Sequence, residues 1–147
     1  MASATETTTD TLNSLLRGEL SAVETYRQAE EKFHGEYEEA NLQRLEYEHQ
    51  QAVDQLRRHV HMKGGQAAES SGAWGVFAQL VEGSAKIFGK AAALKALKEG
   101  EEIGIGDYES ALKNESLPAE CRSLIRDTLL PRCRQHVKNL DQLMSRN

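Results

Sequence analysis

Two parts of this 147-residue chain repeat one pattern, in which a Gly-Glu pair is followed by a tyrosine seven positions after the glutamate and an alanine three positions later. The first copy is Gly18, Glu19, Tyr26 and Ala29, and the second is Gly100, Glu101, Tyr108 and Ala111. A histidine followed five positions later by Asp-Gln-Leu also occurs twice, at His49 and at His136. Each half of the chain thus carries a glutamate segment and then a histidine segment, which indicates a duplicated helical hairpin.

The composition predicts an all-α protein with a single domain. Ala, Leu, Glu, Gln, Lys and Arg outnumber the residues that favour strands, and the chain has only 2 prolines. A chain of 147 residues can bury one continuous core but is too short for two. We therefore expect a disordered N-terminal lead over residues 1–9 and one domain over residues 10–145.

The charge and hydropathy of the chain argue against two classes of partner. The net charge is −5, and the Lys and Arg residues are interspersed with Glu rather than gathered in a basic patch. Nucleic acid is therefore not an expected partner. No stretch has the apolar run of a signal peptide or of a membrane span, so a soluble, cytoplasmic protein that does not bind membranes is expected.

Hydrophobic residues recur at helical spacing over four long segments. The predicted helices run from about Asp10 to Phe33, Glu36 to Met62, Lys90 to Asn114 and Pro118 to Met144. Pro131 is expected to kink the fourth helix just before Cys133, because proline cannot donate the hydrogen bond that a regular helix requires.

A long connection lies between the second and third helices. Residues 66–72 are small and polar and predict a loop, which is followed by a short amphipathic helix. Its apolar residues are Trp74, Phe77, Val81, Ala85 and Phe88. Two short-looped hairpins joined by one long crossover are the ferritin-like arrangement of a four-helix bundle. We expect the crossover helix to seal the core, and a contact between two copies of the chain in a homo-oligomer is the alternative left open.

Six side chains that can bind metals fall on or beside the apolar faces of these helices. They are Glu19, Glu46, His49, Glu101, Cys133 and His136. A carboxylate on an apolar face costs several kcal/mol unless it is paired, neutralised or bound to a cation. Glu46 and His49 stand three positions apart, which is the spacing that carboxylate-bridged dimetal bundles use on two of their helices. Glu19 and Glu101 fit the single-glutamate roles of the other two helices.

The rise per residue indicates which of these side chains can meet. Counted from the turn at Gly35, Glu19 and His49 lie at depths of roughly 24 and 21 Å, so they are expected to face each other. In the second half, Glu101 lies roughly 21 Å from its turn, whereas His136 lies roughly 30 Å from it. That half is expected to match less well, by up to two helical turns.

These residues and two further stretches carry a resemblance to a known family. The segments that carry it are Leu15–Glu19, the pair Glu46 and His49, Ser71–Gly75, the pair Gly100 and Glu101, and the single residue His136. From about Asp10 to Met144 the chain resembles an uncharacterised bacterial family of small ferritin-like four-helix proteins, a domain-of-unknown-function family. The resemblance implies a dimetal site that uses dioxygen to oxidise ferrous iron, or that sequesters it. Its ligands would include Glu19, Glu46, His49, Glu101 and His136.

Cys133 stands where the pattern of such sites has a sixth ligand, a glutamate. A thiolate is softer than a carboxylate and does not bridge and chelate as a carboxylate does. It therefore favours zinc or leaves one metal position incomplete. The expected cofactor is iron or zinc, with Cys133 as the sixth candidate ligand.

The alternative interpretation needs no metal. Buried carboxylates, imidazoles and the hydroxyls of Tyr26 and Tyr108 can satisfy one another by hydrogen bonds inside the bundle. In that case the chain is a non-enzymatic structural or interaction module without a cofactor. The two tyrosines are expected to pack in the core, each with its hydroxyl bonded to a carboxylate across it.

Overall fold

A computed structural model describes residues 4–71 and 89–146, and over these residues the chain forms helices and no β-strand. The helices are α1 (Ala4–Lys32), α2 (Glu39–Met62), α3 (Lys90–Leu112), α4 (Ala119–Leu124), a π-helical segment (Ile125–Leu129) and α5 (Leu130–Ser145). The last three follow one another directly and together form the fourth long helix. The prediction of an all-α protein with four long helices is confirmed. The predicted crossover helix, with Trp74, Phe77, Val81, Ala85 and Phe88, lies outside the described residues.

The first helix begins at Ala4, six residues before the predicted start at Asp10. Helical structure therefore extends into the stretch for which the composition predicts a disordered lead. The extension has a packing cause, because the Thr8 side chain is buried. The neighbouring Thr9 methyl group lies only 2.7 Å from the position that a Cβ at Gly65 would occupy. Tertiary contacts thus add turns that the hydrophobic periodicity does not indicate.

The fourth long helix departs from α-helical geometry before Pro131. The amide of Leu130 donates to the carbonyl of Ile125, five residues earlier, at the end of the π-helical segment. Pro131 has no amide hydrogen with which to bond the carbonyl of Asp127, so the regular ladder is interrupted at this point. The sequence predicts a kink at Pro131, and the structure has a five-residue π-helical stretch that ends two residues before this proline.

The four long helices contact one another in a ring. α1 packs along α2 and α3 along α5, while α1 also contacts α3 and α2 contacts α5. The buried apolar residues form two clusters, one that includes Leu56, Tyr108 and Cys133 and one that includes Leu45, Leu97 and Leu140. On α2, α3 and α5 a polar residue lies between the members of the two clusters: His49, Glu101 and His136. The polar centre of the bundle is therefore enclosed between two apolar layers. No helix among the described residues is long and apolar enough to cross a membrane.

Candidate metal centre

Each of the four long helices contributes one buried polar side chain to the centre of the bundle. The exposed fractions are 5% for Glu19, 4% for His49, 4% for Glu101 and 1% for His136. Four of the six side chains predicted from the sequence are thus brought together here. Groups this deeply buried are unstable unless they are paired or hold a cation.

His49 lies between two carboxylates. Its Nδ1 is 2.5 Å from Oε2 of Glu19, and its Nε2 is 2.8 Å from Oε2 of Glu101. Burial would lower the pKa of His49, but the negative charges of Glu101 and Glu19 and the hydrogen bonds to them raise the pKa well above its usual value. The predicted meeting of Glu19 and His49 is confirmed. Without a metal, His49 is therefore an imidazolium that donates from both nitrogens.

His136 lies between Glu101 and a residue that the sequence analysis missed. Its Nδ1 is 3.0 Å from Oε2 of Glu101, and its Nε2 is 2.7 Å from Oε1 of Glu48. The ring centroids of His49 and His136 are 4.8 Å apart. Glu48 lies three residues after Leu45 and four before Ala52, both of which are buried, so its place beside the inward stripe could have been read from the spacing.

The two repeated tyrosines pair with the two repeated glutamates across the bundle. The hydroxyl of Tyr108 donates to Oε1 of Glu19 over 2.5 Å, and that of Tyr26 donates to Oε2 of Glu101 over 2.7 Å. Burial and the neighbouring carboxylates raise the pKa of both tyrosines well above its usual value, so both hydroxyls remain donors. The prediction of core tyrosines bonded to carboxylates is confirmed. The repeat in the sequence therefore encodes two reciprocal hydrogen bonds between α1 and α3.

Glu101 is the residue that joins these interactions. Its Oε2 accepts from Tyr26 and lies within hydrogen-bond distance of both histidines. Burial would raise the pKa of Glu101, but the His49 charge and the hydrogen bonds from His136 and His49 hold it well below its usual value. Its other oxygen, Oε1, is buried and has no hydrogen-bond partner among the described residues. Glu101 is thus an anion with one unused acceptor.

Glu46 lies outside the centre. Its Oε2 accepts a hydrogen bond from Nε of Arg27 over 3.2 Å, and 20% of its side chain is exposed. The sequence pattern placed Glu46 beside His49 because the two are three residues apart on one helix. The structure instead directs Glu46 toward α1, where it forms a surface ion pair. Glu48, which directly precedes His49 in the sequence, is the glutamate of α2 that contacts the centre.

Cys133 lines a cavity next to the centre, and its side chain is hydrogen-bonded to Glu101. The residue is buried, and the cavity wall also includes Glu19, His49 and Glu101. Burial, the negative charges of Glu19 and Glu101 and the hydrogen bond to Glu101 raise the pKa of the thiol far above its usual value. In the absence of a metal, Cys133 is therefore a neutral thiol.

Three of the predicted ligands are close enough to hold one metal ion. One ligand atom each from His49, Glu101 and His136 lie within 4.8 Å of one another. The second ring nitrogen of each histidine is held by a further carboxylate, Glu19 for His49 and Glu48 for His136. A carboxylate on the far nitrogen is the usual environment of a metal-bound histidine, because it fixes the ring and increases its basicity.

The sequence was also compared with known proteins. A comparison with curated proteins found no match, and a comparison with solved structures found none either. The comparison with protein families matches residues 7–114 to the Domain of unknown function (DUF2383). The matched part contains Glu19, His49 and Glu101, while His136 lies beyond it. Since the match covers most of the chain, this protein belongs to the DUF2383 family.

Proposed function

We propose that this protein is a metal-binding four-helix bundle that holds one transition-metal ion at His49, Glu101 and His136. A single observation carries the proposal. Two buried imidazoles on different helices direct one nitrogen each to the same carboxylate oxygen, at 2.8 and 3.0 Å, and each has its other nitrogen against a second carboxylate. A bound cation would replace protons that these groups now share.

The charges of the centre favour a cation. Glu19, Glu48 and Glu101 surround the two imidazoles, so the carboxylates outnumber the rings that face them. A divalent ion would balance negative charge that the protonated His49 ring balances in its absence. Two imidazole nitrogens and one carboxylate suit zinc or ferrous iron. Three protein ligands would leave coordination positions open for a further molecule.

The surrounding residues would orient the ligands. Glu19 and Glu48 would hold the two rings, and the hydroxyls of Tyr26 and Tyr108 would fix the carboxylates of Glu101 and Glu19. An ion with open positions would supply Lewis-acid chemistry, or redox chemistry in the case of iron. The apolar layers above and below the centre would exclude bulk water and so strengthen each of these electrostatic interactions.

The proposal specifies one ion rather than the two that the family resemblance implies. In the ligand set predicted from the sequence, a second ion would use the carboxylate of Glu46, which pairs with Arg27, or the sulfur of Cys133, which would first have to lose a proton that its raised pKa holds. Oxidation of ferrous iron by dioxygen at a pair of ions therefore has less support than binding of a single ion.

The ferritin-like order of the helices is part of the proposal. Lys90, at the start of α3, pairs with Glu36 in the turn between α1 and α2, with Nζ and Oε2 2.7 Å apart. Lys63, just after α2, pairs with Glu120 at the start of α4. These pairs support a connection that runs the length of the bundle, because α3 begins at the end of the bundle where α2 begins. A long crossover of this kind is what the ferritin-like arrangement requires.

A second candidate function, a structural bundle without a metal, is favoured by one observation. All four ring nitrogens of His49 and His136 already face a carboxylate oxygen at 2.5 to 3.0 Å. Such a network can fix the packing of four helices without any cofactor.

The test is a titration of chelator-treated protein with Co²⁺, Zn²⁺ and, under anaerobic conditions, Fe²⁺. We expect one ion to bind per chain, with competition between Zn²⁺ and Co²⁺, and with release of a proton because His49 must be deprotonated to bind. The control is a His49→Ala, His136→Ala double variant. If the wild-type protein binds these ions no more strongly than this variant does, the metal site is excluded. The structural bundle is then the remaining candidate function.

A further inference from the structure

A cavity of about 50 Å³ lies between α1 and α3 and ends at the candidate metal centre. Its lining includes three glycines, Gly18, Gly100 and Gly104. The lining also extends from Asp107, which is exposed, to the buried carboxylates of Glu19 and Glu101. The cavity therefore connects the region of the protein surface at Asp107 with the polar centre.

One atom in this cavity indicates a ligand. Glu101 lines the cavity and is 4% exposed, and its Oε1 has no hydrogen-bond partner among the described residues. A buried carboxylate oxygen without a partner loses its hydration and gains nothing in return. A cation or a hydrogen-bond donor inside the cavity would compensate for this loss.

The charge and the size of the cavity restrict what it can admit. Carboxylates lie at both of its ends, Asp107 at the surface and Glu19 and Glu101 in the interior, so cations are attracted and anions repelled. A volume of about 50 Å³ holds roughly three to five water molecules. A divalent ion with a complete six-water shell would not fit, so the ion must lose part of its shell near Asp107.

We propose that this glycine-lined cavity is the access path by which a small, partly dehydrated cation reaches Glu101 from the surface. The proposal rests on the proposed metal site and adds the route to it. Gly104 lines this route, and a Cβ there would meet no described atom within 4 Å, so a larger side chain at this position has room to occupy the cavity. Asp107 serves as the first carboxylate that the ion meets.

The test uses two glycines of α3, one on the path and one off it. A Cβ at Gly104 or at Gly106 would meet no described atom within 4 Å, so both positions accept a side chain. Gly104 lines the cavity, whereas Gly106 is exposed and is not among the described lining residues. Replacing glycine by leucine raises helix propensity equally at both positions. Gly104→Leu and Gly106→Leu therefore form a matched pair.

Stopped-flow binding of Co²⁺ to the chelator-treated protein measures how fast the ion enters and leaves the site. In Gly104→Leu we expect the association and dissociation rate constants to fall together by at least tenfold, which leaves the equilibrium affinity unchanged. In Gly106→Leu both rates should equal those of the wild-type protein. An unchanged association rate in Gly104→Leu, in a protein that binds Co²⁺, would overturn the access path without affecting the metal site.

A second measurement remains decisive even if the protein binds no Co²⁺. In a Cys121→Ser background Cys133 is the only remaining thiol of the two in the chain. Methylmercury cation binds its sulfur with loss of the thiol proton, and mass spectrometry follows the rate. We expect Gly104→Leu to slow this reaction at least tenfold and Gly106→Leu to leave it unchanged. Equal rates in the two variants would refute the path, whereas slowing without any Co²⁺ binding would refute the metal site alone.

Discussion

Replacing Glu101 with Gln is expected to reduce the affinity for Zn²⁺ or Co²⁺ by more than about a hundredfold. Loss of a carboxylate that only supports a metal-bound histidine costs roughly 10- to 100-fold, and Glu101 is proposed to bind the ion itself. The substitution keeps the shape of the side chain but removes the charge toward which His49 and His136 both point. Competition with a chromophoric chelator at constant pH measures the change.

The matched control is Glu46→Gln. Glu46 belongs to the ligand set predicted from the sequence, but it pairs with Arg27 outside the centre. We expect the affinity of the Glu46→Gln variant for Zn²⁺ or Co²⁺ to stay within about twofold of the wild-type value. A surface ion pair of this kind contributes little to stability, so its loss should leave the centre intact. Equal losses in Glu46→Gln and Glu101→Gln would contradict the three-residue site and favour the larger ligand set. Wild-type affinity in Glu101→Gln would contradict any site that includes Glu101.

Removing His49 is expected to destabilise the metal-free protein by about 3–5 kcal/mol. His49→Ala leaves the carboxylates of Glu19 and Glu101 buried and facing each other without the cation between them. The free energy of unfolding, measured by urea denaturation in the presence of a chelator, should fall by this amount.

The shifted pKa values of His49 and Glu101 determine the pH range over which this stabilisation is complete. The pKa of His49 is raised in the folded protein, so its contribution is complete below its unfolded value of about 6.5 and is lost as the pH rises through the folded pKa. The pKa of Glu101 is lowered, so its contribution is complete above about 4.5 and is lost as the pH falls toward the folded pKa. Both contributions are therefore complete between about pH 4.5 and 6.5, and the comparison with His49→Ala belongs in that window.

His61 provides the control for this experiment. It lies on the same helix, twelve residues after His49, and is exposed. His61→Ala should change the free energy of unfolding by no more than about 0.5 kcal/mol, as is usual for surface positions. A loss below about 1 kcal/mol in His49→Ala would mean that His49 does not neutralise the two buried carboxylates.

The sequence predicts the all-α architecture with four long helices, and four of the six candidate residues meet at its centre, because both depend on helical periodicity and on rise per residue. Glu19 and His49 meet, as their similar depths from the turn indicate. Glu101 and His136 also meet, although their depths differ by up to two turns in an ideal hairpin. The ideal rise does not account for the connection after α3 or for the π-helical segment before Pro131, which together shift the register of the fourth helix.

Which glutamate of α2 contacts the centre, Glu46 or Glu48, depends on the neighbouring helices and cannot be read from the spacing along the sequence. Both glutamates stand close to His49 on α2, and both are compatible with an inward stripe. Arg27 on α1 draws Glu46 to one side, and His136 on α5 draws Glu48 to the other. The identity of these neighbours follows from how the helices are arranged around α2. The start of α1 at Ala4 has a similar origin, since Thr8 and Thr9 gain contacts only in the folded chain.

X-ray absorption spectroscopy of the zinc-loaded protein tests the central claim most directly, because it reports which atoms bind the ion. The site proposed here predicts two imidazole nitrogens and oxygen ligands at about 2.0–2.2 Å, with no sulfur. Multiple scattering from two imidazole rings should be present in the wild-type protein and absent in the His49→Ala, His136→Ala variant. A zinc–sulfur distance of about 2.3 Å, or a spectrum without imidazole scattering, would contradict a site built from His49, Glu101 and His136.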